Sequence, residues 1–194
     1  ALPADYPLPL LAVAHVHEKD DGMLAAGLAR NTGLRVIVPC DKQPIVRGCL
    51  HVAPANYHML VERNGTIALS VDEKVKWSRP SIDVLFESAA EAWGPRLIAI
   101  LFSGANDDGT EGLLTVKKRG GLTIVQEPRS ARYPFMPQAA ISAGAADRVL
   151  TLEEISSTLV EAGMTREATF RAAPDASCNP FFDLAHRVSA DNTS

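Results

Sequence analysis

The stretch Leu97-Ile98-Ala99-Ile100-Leu101-Phe102 constrains the fold more than any other part of the chain. It has no polar side, so a strand made from it must be covered on both faces. Strands of that kind belong to parallel sheets carrying helices on both sides. Leu8–Val16 is another apolar run, broken by His15, and Arg35–Pro39 and Leu122–Gln126 are shorter ones. Between these runs the period changes. Asp20-Asp21 open a predicted helix that runs to about Asn31 and closes at Gly33. Ile82, Leu85, Phe86, Ala89, Ala90 and Trp93 recur at helical spacing, with Ser81 as the candidate cap. A further helix ends near Arg119 at Gly120-Gly121, and others are predicted near Met136–Ala143 and Leu152–Ala162. Alternating strands and helices predict an α/β fold, doubly wound, with a mainly parallel sheet and helices on both faces.

The middle of the chain is β-rich: Cys49–Pro54, Tyr57–Glu62 and Thr66–Val71 are strand-like runs. Asn64-Gly65 between the last two is a hairpin signal, read as an antiparallel insertion at the sheet edge.

With 194 residues, 46% of them hydrophobic, the chain suits one domain with a sizeable core. A net charge of −4 argues against a nucleic-acid binder, which carries a basic face. No run of about 18 apolar residues is present, so no membrane insertion is expected. Ala1–Pro7 lacks a basic region followed by an apolar one, so it does not read as a secretory leader. It also lacks Met, and the chain reads as starting inside a longer protein. Three cysteines without ligand spacing read as reduced thiols of a cytoplasmic protein. Residues 1–163 are expected to form the domain. Residues 164–194 mix Pro, Ala, Ser and Asn without periodicity and are expected to be a mobile extension, in which Phe181–Leu184 is the segment able to pack back.

Sites in open α/β sheets lie at the carboxyl ends of strands. Two polar clusters occupy that position: His15-Val16-His17-Glu18 and the loop Ser103–Gly109. If their strands are near neighbours, His15 meets an aspartate of the loop. A carboxylate on one imidazole nitrogen fixes the tautomer and frees the other nitrogen to take a proton from a nucleophile. Plainer readings stand beside this one. The loop also suits a turn with Asx hydrogen bonds, and Asp108-Gly109 is an ordinary helix start. Lys117-Lys118-Arg119 suits a helix C-terminus. Ser81, Ser88 and Ser130 suit caps or surface hydroxyls, since none lies in a Gly-x-Ser-x-Gly elbow. His15 and His17 share a strand face near Glu18, Asp20 and Asp21, a pattern open to a metal hydrolase. His51, His58 and His186 add no ligand spacing to it.

Several blocks, read in order, resemble the chemotaxis protein-glutamate methylesterases. Val13–Val16 resembles the strand ending in that family's catalytic histidine. Leu50–Val61 looks like its Ala-Pro-x-x-x-His block, and Arg79–Ala90 is close to its most recognisable signature. Ile100–Gly109 resembles its Leu-Thr-Gly-Met-Gly-x-Asp-Gly loop, and Gly121–Gln126 and Phe135–Ile141 match later blocks. The resemblance spans about residues 1–163. It implies a Ser-His-Asp triad with His15 as general base, Asp108 as orienting carboxylate, and the serine in a Gly-rich turn upstream of Ala1. The backbone N–H of Ala105 is the implied oxyanion donor, and Ser103, Asn106 and Met136 are the implied substrate-binding residues. No metal or cofactor is implied. The implied reaction hydrolyses glutamate γ-methyl esters on methyl-accepting chemotaxis receptors in the cytoplasm, with glutamine deamidation as a companion. A response-regulator receiver domain is a further implied partner. The chain departs from the pattern at Phe102-Ser103, at Ala105 in place of Met, at Asn106 in place of Gly and at Ser78 in place of His. Asn is the residue best able to replace Gly in a left-handed position. The altered loop keeps a second reading open, a non-catalytic receptor- or regulator-binding module of the same fold.

Overall fold

A computed structural model describes residues 2–20 and 22–166. Strand β1 (Leu10–Ala12) is followed by α1 (Met23–Asn31), β2 (Arg35–Ile37), β3 (Cys49–Val52) and a hairpin of β4 (His58–Val61) and β5 (Ile67–Ser70). Helix α2 (Ile82–Trp93) leads to β6 (Ile98–Leu101), α3 (Thr110–Lys118), β7 (Leu122–Gln126), α4 (Phe135–Ser142), β8 (Arg148–Leu150) and α5 (Leu152–Arg166). The α/β architecture with parallel strands is the one the apolar runs demand. β8 is an addition, since Arg148–Leu150 is too short and exposed to carry a pattern. Helix α5 continues to Arg166, beyond the boundary drawn at 163. The rest of the 164–194 segment, including Phe181–Leu184, lies outside the described residues.

The parallel strands form two sheets of three, ordered β1-β3-β2 and β6-β7-β8. Cys49–Val52 therefore belongs to a parallel sheet, paired on both sides. The hairpin forms its own antiparallel pair and is not an edge of either parallel sheet. Its turn runs from Glu62 to Thr66 with Gly65 at φ 84, the left-handed position that closes a short hairpin loop. Met59 and Ile67 of the hairpin, Leu85 and Ala89 of α2, Leu101 of β6 and Leu113 of α3 are all buried in one apolar cluster. Each of the Met, Ile and Leu side chains among them contributes roughly 1.5–3 kcal/mol of transfer free energy.

The two parallel sheets meet edge to edge without joining. Among the described residues β1 pairs only with β3, and β6 only with β7. Between them lies a groove of 420 Å³ lined by Leu8, Leu10, Trp93, Leu97, Ile98 and Leu159. One wall is anchored by Tyr6, whose hydroxyl donates to the Leu159 carbonyl at 3.0 Å. From this groove β3 and β2 lie outward on one side and β7 and β8 on the other, which makes it the switch point where α/β sheets place their sites.

Candidate active site

Just past the end of β1 the chain presents His15, and just past β6 it presents Asp108. Their strands are not paired, yet His15 Nε2 lies 2.7 Å from Asp108 Oδ2. An ionised carboxylate there requires the proton on Nε2, so His15 donates, and in the neutral ring Nδ1 is the nitrogen that carries the lone pair. Nδ1 has no partner among the described residues, and the His15 side chain is 29% exposed.

Asp108 is fully buried and has further donors. The Ser81 hydroxyl donates to Oδ1 at 2.8 Å, the Ile82 N–H to Oδ2 at 2.7 Å and the Asp83 N–H to Oδ1 at 3.0 Å. The last two are orphan donors at the start of α2. Asp108 thus caps α2, not the helix that follows it in sequence. The favour is returned: Asp83 Oδ1 accepts the Gly112 N–H of α3 at 2.7 Å. The helices cross closely enough that a Cβ at Gly112 would lie 2.6 Å from the Phe86 Cβ. Gly109, at φ 93, turns the chain into α3, and a Cβ there would meet Leu101 Cδ1 at 2.7 Å. Each helix start is therefore neutralised by an aspartate from the other chain segment.

Burial acts to raise the Asp108 pKa. Hydrogen bonds from His15, the Ile82 and Asp83 amides and the Ser81 hydroxyl outweigh it, and the carboxyl is held below its ordinary value. Asp83 moves the other way. Burial pushes it up, and the neighbouring Asp108 charge adds to that, against the Gly112 amide and Lys76. Lys76 Nζ sits 3.1 Å from Asp83 and 3.3 Å from Asp107, offsetting the paired acids.

A second layer orients Ser81. His58 is buried, its Nδ1 accepting the Ser81 N–H at 3.2 Å and its Nε2 facing the Glu73 carbonyl at 3.0 Å. The other block histidine, His51 of β3, ties β1 to the segment before β3: Nδ1 faces the Leu10 carbonyl and Nε2 accepts the Val46 N–H, both at 3.2 Å. Burial lowers its pKa. The sequence offers Ser81 only as a cap of its own helix and assigns no role to Asp83, Lys76 or His58. The signal lay in the Arg79–Ala90 block, whose serine and aspartate flank a helix start. Ser81 does not cap its own helix, because its hydroxyl donates to Asp108.

The loop after β6 is held from below. Ser103 N–H donates to Gln126 Oε1, and its hydroxyl accepts the Tyr133 N–H, both at 3.0 Å. Met136 is buried under Gly104, where an added Cβ would meet Met136 Cε at 2.3 Å. Ala105 is exposed, and its N–H has no acceptor among the described residues. Asn106 does not take a left-handed conformation. Its side chain accepts the Asp108 N–H at 3.2 Å, an Asx turn that sets the carboxylate's approach. His15, His17, Trp77, Ser78, Arg79 and Pro80 line a cleft of 460 Å³. The elements of the metal reading part company: His17 accepts the Lys19 N–H, Glu18 pairs with Lys74, and Asp20 caps α1 through the Gly22 and Met23 amides. No metal-binding cluster occurs among the described residues.

An α/β domain with a buried carboxylate behind an accessible imidazole at the sheet switch point has the frame of a hydrolase that uses a general base. Residues 1–159 match the CheB methylesterase family model. A putative protein-glutamate methylesterase/protein-glutamine glutaminase of Leptospira interrogans is 40% identical over 159 residues, covering 82% of each chain. The protein-glutamate methylesterase FrzG of Myxococcus xanthus is 34% identical over 160 residues, and this chain spans 48% of its length. The crystal structure of the Thermotoga maritima CheB methylesterase catalytic domain superposes with a TM-score of 0.78 at 30% identity, covering 82% of this chain and 86% of that one. The chain belongs to the CheB methylesterase family.

Proposed function

We propose that the protein hydrolyses glutamate γ-methyl esters on methyl-accepting chemotaxis receptors in the cytoplasm by a Ser-His-Asp mechanism, with glutamine deamidation as the companion reaction. The observation that carries this reading is the 2.7 Å contact between His15 and the buried, ionised Asp108. No hydroxyl among the described residues hydrogen-bonds the His15 ring. The nucleophile is a serine upstream of Ala1, on a strand that seats between β1 and β6 in the apolar groove and ends beside His15. The serine hydroxyl attacks the ester carbonyl while its proton passes to His15 Nδ1, and the Ala105 N–H holds the oxyanion. Collapse expels methanol, protonated by His15, and leaves an acyl-enzyme. Water activated by the same imidazole then releases the glutamate carboxylate. Ser103, Asn106 and Met136 act through the loop, which they hold under Ala105. The catalytic unit runs to the end of α5 at Arg166, and a receiver domain is the regulatory partner.

The test is methanol release from methylated receptors by the full-length protein and by His15→Ala. Loss of release in the variant is expected. Equal rates reject the role of His15. No release by either protein favours the binding-module reading that the altered loop motivates.

A further inference from the structure

Trp77 is 94% exposed, more than any other large apolar side chain among the described residues. No packing explains that position, and the backbone does not favour it. Lys76 and Trp77 take φ 46 and φ 66, consecutive left-handed conformations that L side chains disfavour. Their turn is closed by Val75 and Ser78, which exchange backbone hydrogen bonds of 3.1 and 2.8 Å. Positive φ at both central residues marks a turn normally made with Asn and Gly. Here it is imposed by Lys76, whose Nζ donates to the Asp107 carbonyl at 2.9 Å and pairs with Asp83 and Asp107. Asp83 and Asp107 belong to the two segments that hold Asp108. The turn is thus bolted to the frame of the site, and Trp77 shares the cleft with His15. Unfavourable backbone that its surroundings over-determine concentrates where a side chain must be presented.

We propose that Trp77 is a substrate-positioning residue, whose indole packs on the polypeptide surface flanking the esterified side chain while that side chain enters the cleft. A small ester needs only the cleft. A protein substrate also has to be oriented outside it, and an indole offers a large, rigid surface for that task. The inference rests on the esterase reading.

Two measurements on the full-length protein test it. In the first, kcat/KM is measured for a methylated receptor and for an N-acetyl glutamate γ-methyl ester amide, with wild type, Trp77→Ala and Trp77→Phe. The receptor-to-small-ester ratio is expected to fall about tenfold in Trp77→Ala, through KM, with partial recovery in Trp77→Phe. An unchanged ratio in an active enzyme overturns the proposal and leaves the esterase reading standing. A wild type that cleaves neither ester overturns both. In the second, oxidative footprinting by mass spectrometry is read at Trp77. Strong labelling in the free protein and protection on adding methylated receptor are expected. Protection already present without receptor means that another part of the same protein covers the indole, and overturns the proposal.

Discussion

Asp108 takes hydrogen bonds from four donors in a fully buried corner, whereas His15, on the far side of the groove, makes one and is partly exposed. The carboxylate side is built from crossed helices that cap each other. The imidazole side hangs from a short strand whose outer edge is unpaired among the described residues. Orientation is therefore stored on one side and access on the other. A buried group with all its acceptor sites filled cannot turn, so the partly exposed ring has one fixed reference.

The sharpest way to break this comparison is to remove each member in the full-length enzyme. His15→Ala is expected to lower kcat on the order of 10⁵–10⁶-fold, with only a modest loss of stability of about 1 kcal/mol, because the ring is one of four donors to the buried Asp108 and caps no helix. A large fall in Tm would show that the accessible side is structural too. Asp108→Asn is expected to lower kcat about 10⁴-fold and also to destabilise, since the amide cannot accept from all its donors. Unaltered denaturant midpoints would contradict the crossed-cap account. Gly109→Ala, forced to φ 93 against Leu101 and Ile82, is expected to cost about 2–3 kcal/mol in urea unfolding. Ser81→Ala removes one donor from Asp108 and is expected to cost about 1 kcal/mol.

The two sides also differ in acid. His51, in the sheet that leads to His15, has its pKa lowered by burial. Its unfolded counterpart binds a proton first, so stability is full above the unfolded value of about 6.5 and falls as pH drops below it. Asp108 is depressed by its donors, so its contribution persists until pH falls below the unfolded carboxylate value of about 3.9. Unfolding free energy measured from pH 7.5 to 4 should decline in wild type and decline less in His51→Gln. Parallel slopes would remove His51 as the cause.

Much of this was legible in the chain. Leu122–Gln126 is a strand at its predicted bounds, and the helix from Ile82 to Trp93 follows its apolar spacing. The meeting of His15 with an aspartate of the Ser103–Gly109 loop is legible because both segments follow apolar runs whose carboxyl ends share one side of the sheet. The roles of Ser81, Asp83 and Lys76 were not, since short polar residues at a helix start look alike whether they cap, pair or face water. Asn106 was read as a left-handed replacement for glycine, but its side chain instead closes an Asx turn.

The sequence by itself determined the segments that carry an apolar pattern, β8 being the exception, because periodicity is local and each apolar run has one way to be covered. The tertiary structure decided that residues 93 positions apart meet at 2.7 Å. It also decided that the two sheets stop a groove apart, and that each aspartate caps the other's helix. The mutual capping depends on the angle at which α2 and α3 cross over Gly112, and a crossing angle is a property of two packed surfaces that neither segment carries alone.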